Sequence, residues 1–179
     1  MTPRGSPIFP ALVTGLRAAT IPLLVVSLRA GADTQAVLLL GFAALTDIAD
    51  GWVARRLAAT SVAGAYLDVT VDFLLVSAGL ATLAARGLYP AWLVLVPALV
   101  FALFLLSSGL RTPIYDPVGK CYGGFLVGVV VASLLLLDLA VHALLFGTIL
   151  GLSAVTLIAR GRWLLMELWP RDQTNRLRP

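Results

Sequence analysis

The chain has 179 residues, 60% of them hydrophobic and 12% charged, with a mean hydropathy of +0.98 and a formal net charge of +4. A soluble domain carries about a quarter charged residues, so this composition excludes an ordinary water-soluble globule and points to an integral membrane protein. The single cysteine, Cys121, excludes an internal disulfide and a thiolate metal cluster; it is expected to pack as a small core residue.

A helix crosses a bilayer with about 20 apolar residues. Six stretches meet or approach that length: Pro7–Leu28, Gln35–Ala54, Gly64–Ala85, Ala91–Leu110, Tyr122–Leu139 and Leu144–Ile158. The last two are short, and their limits around Asp138–His142 are poorly defined by pattern alone. The lone histidine, His142, is expected at the membrane interface. The beginning lacks the layout of a signal peptide, and no linker, low-complexity tail or internal repeat stands out. The expected fold is therefore all-α: one domain over residues 1–179, a bundle of six transmembrane helices.

Lysine and arginine in the connections set the orientation. With the N-terminus in the cytoplasm, that side carries Arg4, Arg55, Arg56, Arg111, Lys120, Arg160, Arg162, Arg171, Arg176 and Arg178, against Arg29 and Arg86 on the other. Both termini are expected to be cytoplasmic. The tail "ARGRWLLMELWPRDQTNRLRP" reads as an interfacial segment, with Trp163 and Trp169 near the headgroups and its arginines facing anionic lipid.

The acids break the apolar pattern. Of nine acidic residues, Asp47, Asp50, Asp68 and Asp72 fall within 26 positions, inside the second and third spans. Ionisable side chains at membrane depth are costly, and the default reading of one is a functional site. Helical spacing puts Asp47, Asp50, Gly51 and Ala54 on one face, and stacks Gly64, Asp68 and Asp72 on another. The second span ends where the third begins, so all four carboxylates should lie within roughly 5–15 Å of the cytoplasmic surface. Four carboxylates at close quarters call for cations. An all-oxygen donor set without nearby His or Cys suits Mg²⁺ or Mn²⁺ rather than zinc. Gly51 and Gly64 would let a ligand approach the backbone, although close helix packing explains glycine in membranes as well.

From Asp47 the sequence runs D-x-x-D-G-x-x-A-R, then eight residues, then G-x-x-x-D-x-x-x-D, with Asp47, Asp50, Gly51, Ala54, Arg55, Gly64, Asp68 and Asp72 in the fixed positions. This resembles the signature of the CDP-alcohol phosphatidyltransferases, enzymes that transfer a phosphatidyl group from a CDP-linked lipid such as CDP-diacylglycerol to an alcohol and release CMP. The resemblance implies two divalent ions held by Asp47, Asp50, Asp68 and Asp72, with Asp72 also the general base on the acceptor hydroxyl. It implies a nucleotide pocket lined by Gly51, Ala54, Arg55 and Gly64, and a homodimer among membrane lipids. No nucleic-acid partner is expected.

The first span carries "PALVTGLR" where family members often have P-N-x-x-T-x-x-R. Ala11 replaces the asparagine, while Thr14 and Arg17 remain as candidates on the CDP moiety. Arg17 could equally cap a carboxylate or reach the interface. Phe73 and Val69 stand where glycerophosphate-type and serine-type members tend to carry Lys and Ser respectively. The acceptor is better read from "SSGLRTPIYDPVGKCYGG", which is similar to phosphatidylglycerophosphate synthases. Arg111 and Lys120, the latter the chain's one lysine, would suit a phosphorylated acceptor, with glycerol 3-phosphate expected first and inositol phosphate or another alcohol second. Two readings from other classes remain: a cation transporter using the acids as an ion path, and a structural protein that keeps the motif without catalysis. The first does not account for the spacing of Gly51, Ala54, Arg55 and Gly64, and the intact metal-ligand positions argue against the second.

Overall fold

A computed structural model describes the backbone of residues 8–57, 62–108 and 117–168, and the side chains of 14–48, 64–107 and 121–162. Among the described residues the chain is all-helical, without strands. The helices are α1 (Ile8–Arg29), α2 (Asp33–Leu57), α3 (Val62–Ala85), a 3-10 turn (Ala91–Val94) that leads into α4 (Leu95–Ser108), α5 (Pro117–Leu135) and α6 (Leu139–Leu168). Two helical segments are long and apolar enough to cross a membrane, Gly64–Ala85 and Leu139–Arg162; Ala91–Ser107 and Cys121–Leu135 are apolar but shorter.

Helix α1 packs chiefly against α3 and α2, α3 reaches α5, and α4 lies on α6. Leu24, Leu28, Leu40, Leu80, Leu83, Val129, Val130 and Ile149 meet in the buried core. Helices α3 and α5 come close at Gly79, where a Cβ would lie 3.3 Å from a methyl of Val130; a small residue at such a contact lets two backbones approach. Hydroxyl pairs add directional links. Tyr122 Oη lies 2.6 Å from Ser153 Oγ between α5 and α6, and Tyr89 Oη lies 2.7 Å from Ser133 Oγ.

One end of the bundle is closed by two turns of the same design. Gly31 and Gly87 take positive φ angles, 72° and 82°, in the left-handed region that only glycine enters without strain. After α1, the Ala32 N–H donates to Ser27 O and the Gly31 N–H to Leu28 O. After α3, the Leu88 N–H donates to Leu83 O and the Gly87 N–H to Ala84 O. These are Schellman caps, which satisfy the last carbonyls of a helix and turn the chain back. Between them Arg86 donates through both guanidinium nitrogens to Asp33, at 2.6 and 3.1 Å. That bond holds the Arg86 pKa above its usual value and ties the end of α3 to the start of α2.

One expectation fails here. Cys121 is exposed; its neighbour Tyr122 takes the buried direction, and consecutive helical residues point about 100° apart. His142 is buried between helices, with its Nε2–H donating to Ser133 O at 3.1 Å and its ring edge-on to Tyr89. The last carbonyls of α5 lack intrahelical partners, and His142 supplies one. The ill-defined boundary is also resolved. Helix α5 stops at Leu135, and Asp138 starts α6 by accepting the Ala140 N–H at 2.7 Å, so α6 extends well beyond Leu144–Ile158 at both ends.

Candidate active site

At the end of the bundle away from the glycine turns, α1, α2 and α3 bring charged side chains together. The distance between these ends is about 20 Å along either helix, from Arg17 to Gly31 or from Asp72 to Gly87. Helix α3 presents Asp68 and Asp72 one turn apart, and α2 presents Asp47. One oxygen from each of the three carboxylates falls within 4.8 Å of the others. Helices α2 and α3 are consecutive and their acids lie near the connection that joins them. The i, i+4 spacing on α3 then aims two carboxylates at one point.

Arg17 enters this cluster from α1. Its Nη1 donates to Asp68 Oδ1 at 2.6 Å and to Asp72 Oδ1 at 2.8 Å, and its Nη2 lies 3.3 Å from Asp47 Oδ1. The exposures differ in a way that fixes the geometry. The arginine side chain is 1% exposed, whereas Asp47, Asp68 and Asp72 are 38%, 36% and 43% exposed. The guanidinium forms a floor on the protein side, and the carboxylates form an accessible rim above it. With all four groups ionised, two negative charges remain uncompensated. Hard oxygens, convergence within one ion's reach and surplus negative charge fit a divalent cation.

Other expected residues are distributed around this patch. Thr14 lies one turn before Arg17 and is buried, and Gly64 lies one turn before Asp68 and is exposed. Asp50, Gly51, Ala54 and Arg55 lie in the last turns of α2, and Lys120 lies in the first turn of α5; their side chains fall outside the described residues. Arg111, with its neighbour Asp116, lies outside them altogether.

Arg160, counted in the sequence only as a topology charge, gains a specific setting. Its Nη1 donates to Ser107 Oγ at 2.7 Å and its guanidinium stacks 4.8 Å from the Phe104 ring. Phe104 touches Tyr66 on α3, and Phe101 stacks on Phe73 at 4.2 Å. An aromatic wall therefore joins α4 to the side of α3 that carries Phe73, beside Asp72. Sequence alone offered no signal for it, because Phe residues in an apolar helix look like any others.

Residues 7–160 match the family model for CDP-alcohol phosphatidyltransferase. The chain belongs to the CDP-alcohol phosphatidyltransferase family. It is thus an enzyme of the class that moves a phosphatidyl group to an alcohol and releases CMP. It is similar to a protein of Pectobacterium atrosepticum named CDP-diacylglycerol–glycerol-3-phosphate 3-phosphatidyltransferase, 35% identical over 105 residues; the match covers 57% of each chain. A Pseudomonas fluorescens protein of the same name is 29% identical over 182 aligned positions, covering 93% of this chain and 92% of the relative. No solved structure gives a significant match.

Proposed function

We propose that this protein transfers the phosphatidyl group of CDP-diacylglycerol to the hydroxyl of glycerol 3-phosphate and releases CMP. The observation that carries this reading is the convergence of Asp47, Asp68 and Asp72 on one accessible patch, in a chain of this family. The acceptor rests on the names of the two relatives and on the cations Arg111 and Lys120 in the α4–α5 region.

The acceptor hydroxyl oxygen attacks the phosphorus that bears diacylglycerol, the P–O bond to CMP breaks, and CMP leaves with the bonding electrons. Asp72 takes the hydroxyl proton, a role open to a carboxylate within hydrogen-bond reach. Asp47, Asp50, Asp68 and Asp72 would hold two divalent ions, Mg²⁺ or Mn²⁺; when bound, such ions neutralise the pyrophosphate and the charge gathering on the leaving group. Thr14, Arg17, Gly51, Ala54, Arg55 and Gly64 line the nucleotide side, and Arg111 and Lys120 bind the acceptor phosphate. Keeping the two substrates in line removes much of the entropic barrier.

The donor is a lipid, so the site belongs at a membrane. Support comes from the two spanning-length helices, and from the α6 span, of whose apolar window only 17% is buried inside the protein. A soluble core helix would be mostly buried; here Leu139, Leu144, Val155 and Ile158 face outward, as in contact with lipid. We read the whole chain, residues 1–179, as one domain of six spanning helices with both termini and the site at the cytoplasmic side, where the soluble acceptor is met. The homodimer is proposed on family resemblance alone. A cation path through the acids is disfavoured by Arg17, whose guanidinium sits on three of them.

The test is CMP release by purified protein in detergent with CDP-diacylglycerol and Mg²⁺ or Mn²⁺, across a panel of acceptors. CMP formed with glycerol 3-phosphate and with no other acceptor is the expected result. Turnover with inositol phosphate or another alcohol would keep the chemistry and replace the acceptor.

A further inference from the structure

A guanidinium that is 1% exposed inside an apolar bundle needs a reason. Burying a charge is costly unless it is paired and hydrogen-bonded, and Arg17 meets that need through carboxylates from two other helices. The oxygens it uses are informative. Nη1 bridges the Oδ1 atoms of Asp68 and Asp72, and these two residues, with Asp47, form the group able to converge on one ion. A hard divalent ion binds carboxylate oxygens at about 2.0–2.6 Å. It therefore draws on the same carboxylates that Nη1 already engages, and the two positive groups repel across a few ångströms.

We propose that Arg17 is the resident counter-cation of the acidic cluster. It gathers Asp47, Asp68 and Asp72 while no metal is bound, and its guanidinium gives up the Oδ1 atoms of Asp68 and Asp72 when divalent ions load. The inference rests on the metal-dependent reading above and adds that loading is an exchange of one cation for another. Arg17 is then a positioning residue with two opposed effects. It keeps three like charges together and ready, and it lowers the apparent metal affinity. The burial contrast fits the exchange, because the exposed rim is open to an ion while the guanidinium lies on the protein side.

A salt bridge without which the carboxylates do not converge predicts weaker metal binding once it is cut, which gives the test. Mn²⁺ binding to the purified full chain would be followed by the electron paramagnetic resonance of free Mn²⁺, without donor lipid, for wild type, Arg17→Gln, Arg17→Lys and Asp68→Asn. Arg17→Gln should bind Mn²⁺ about tenfold tighter or more, since a unit charge within a few ångströms of the ion is removed. Arg17→Lys keeps a charge but loses the fork that spans three acids, and should fall between wild type and Arg17→Gln. Without metal, Arg17→Gln should melt earlier than wild type; with saturating Mn²⁺ it should gain more than wild type does. Equal or weaker Mn²⁺ binding in the arginine variants would overturn the exchange while leaving the metal site standing, provided that Asp68→Asn loses affinity. If Arg17→Gln does not fold, the tightening in Arg17→Lys alone decides. A wild-type protein with no saturable Mn²⁺ site would overturn both the exchange and the reading on which it rests.

Discussion

Asp68→Asn separates what the acidic cluster contributes to the fold from what it contributes to chemistry. The substitution keeps the shape of the side chain and removes its charge. In the folded protein Asp68 Oδ1 accepts from Arg17 Nη1 at 2.6 Å, and an asparagine carbonyl can still accept that bond. A charge-assisted hydrogen bond contributes about 1.5–3 kcal/mol and a neutral one about 0.5–1.5 kcal/mol. The loss is therefore at most about 1 kcal/mol, because the carboxylate is 36% exposed, solvent screens it, and the change relieves its repulsion with Asp47 and Asp72. For a chain of this size that corresponds to a fall in Tm of at most about 2–4 °C. The chemical effect should be far larger. Losing one anionic ligand from a divalent site and its grip on the pyrophosphate should lower CMP release about 100-fold or more. Thermal unfolding without metal and turnover over a Mn²⁺ titration measure the two effects on one preparation. Turnover within a few-fold of wild type would refute the assignment of Asp68 to the metal site. A collapse of stability matching the loss of activity would show that the cluster serves the fold.

Two predictions concern the opposite end of the bundle, about 20 Å from the acids. Gly87→Val should cost about 1–2 kcal/mol by forcing a β-branched residue to a φ of 82°, seen as a lower Tm with kcat per folded molecule unchanged. Arg86→Met should cost about 1 kcal/mol or less, because the Asp33 pair is bidentate but partly exposed; combined with Asp68→Asn the two losses in Tm should add, since the sites share no partner.

The helices were legible because long apolar runs satisfy their backbone polar groups internally as helices; the first four stretches start and stop within three residues of the observed limits, and the fifth lies shifted, as Pro117–Leu135. The sixth was cut short at Ile158 because Arg160 and Arg162 read as the end of a span. A charged residue ends an apolar run without ending the helix, so α6 continues to Leu168. The convergence of Asp47, Asp68 and Asp72 followed from i, i+4 geometry and from the acids lying near the joined ends of α2 and α3, although these helices each pack on α1 rather than side by side. That Arg17 caps a carboxylate was one of its open readings; which acids it reaches did not follow, because nothing in a sequence fixes how far α1 is rotated and shifted against α2 and α3. The same holds for His142 on Ser133 O and for Arg160 against Ser107 and Phe104: each is a contact between distant segments, decided by packing. Cys121 failed for a simpler reason, since residue type predicts burial only on average and a neighbouring Tyr122 claimed the inward direction.

The most direct measurement of the central claim is the fate of the acceptor oxygen. Glycerol 3-phosphate carrying ¹⁸O in its reactive hydroxyl would be turned over with CDP-diacylglycerol, and the lipid product and CMP analysed by mass spectrometry for wild type and Asp72→Asn. The account predicts one ¹⁸O retained in the lipid product, none in CMP, and almost no labelled lipid from Asp72→Asn. Label in CMP, or an Asp72→Asn protein that makes labelled lipid at the wild-type rate, would contradict it.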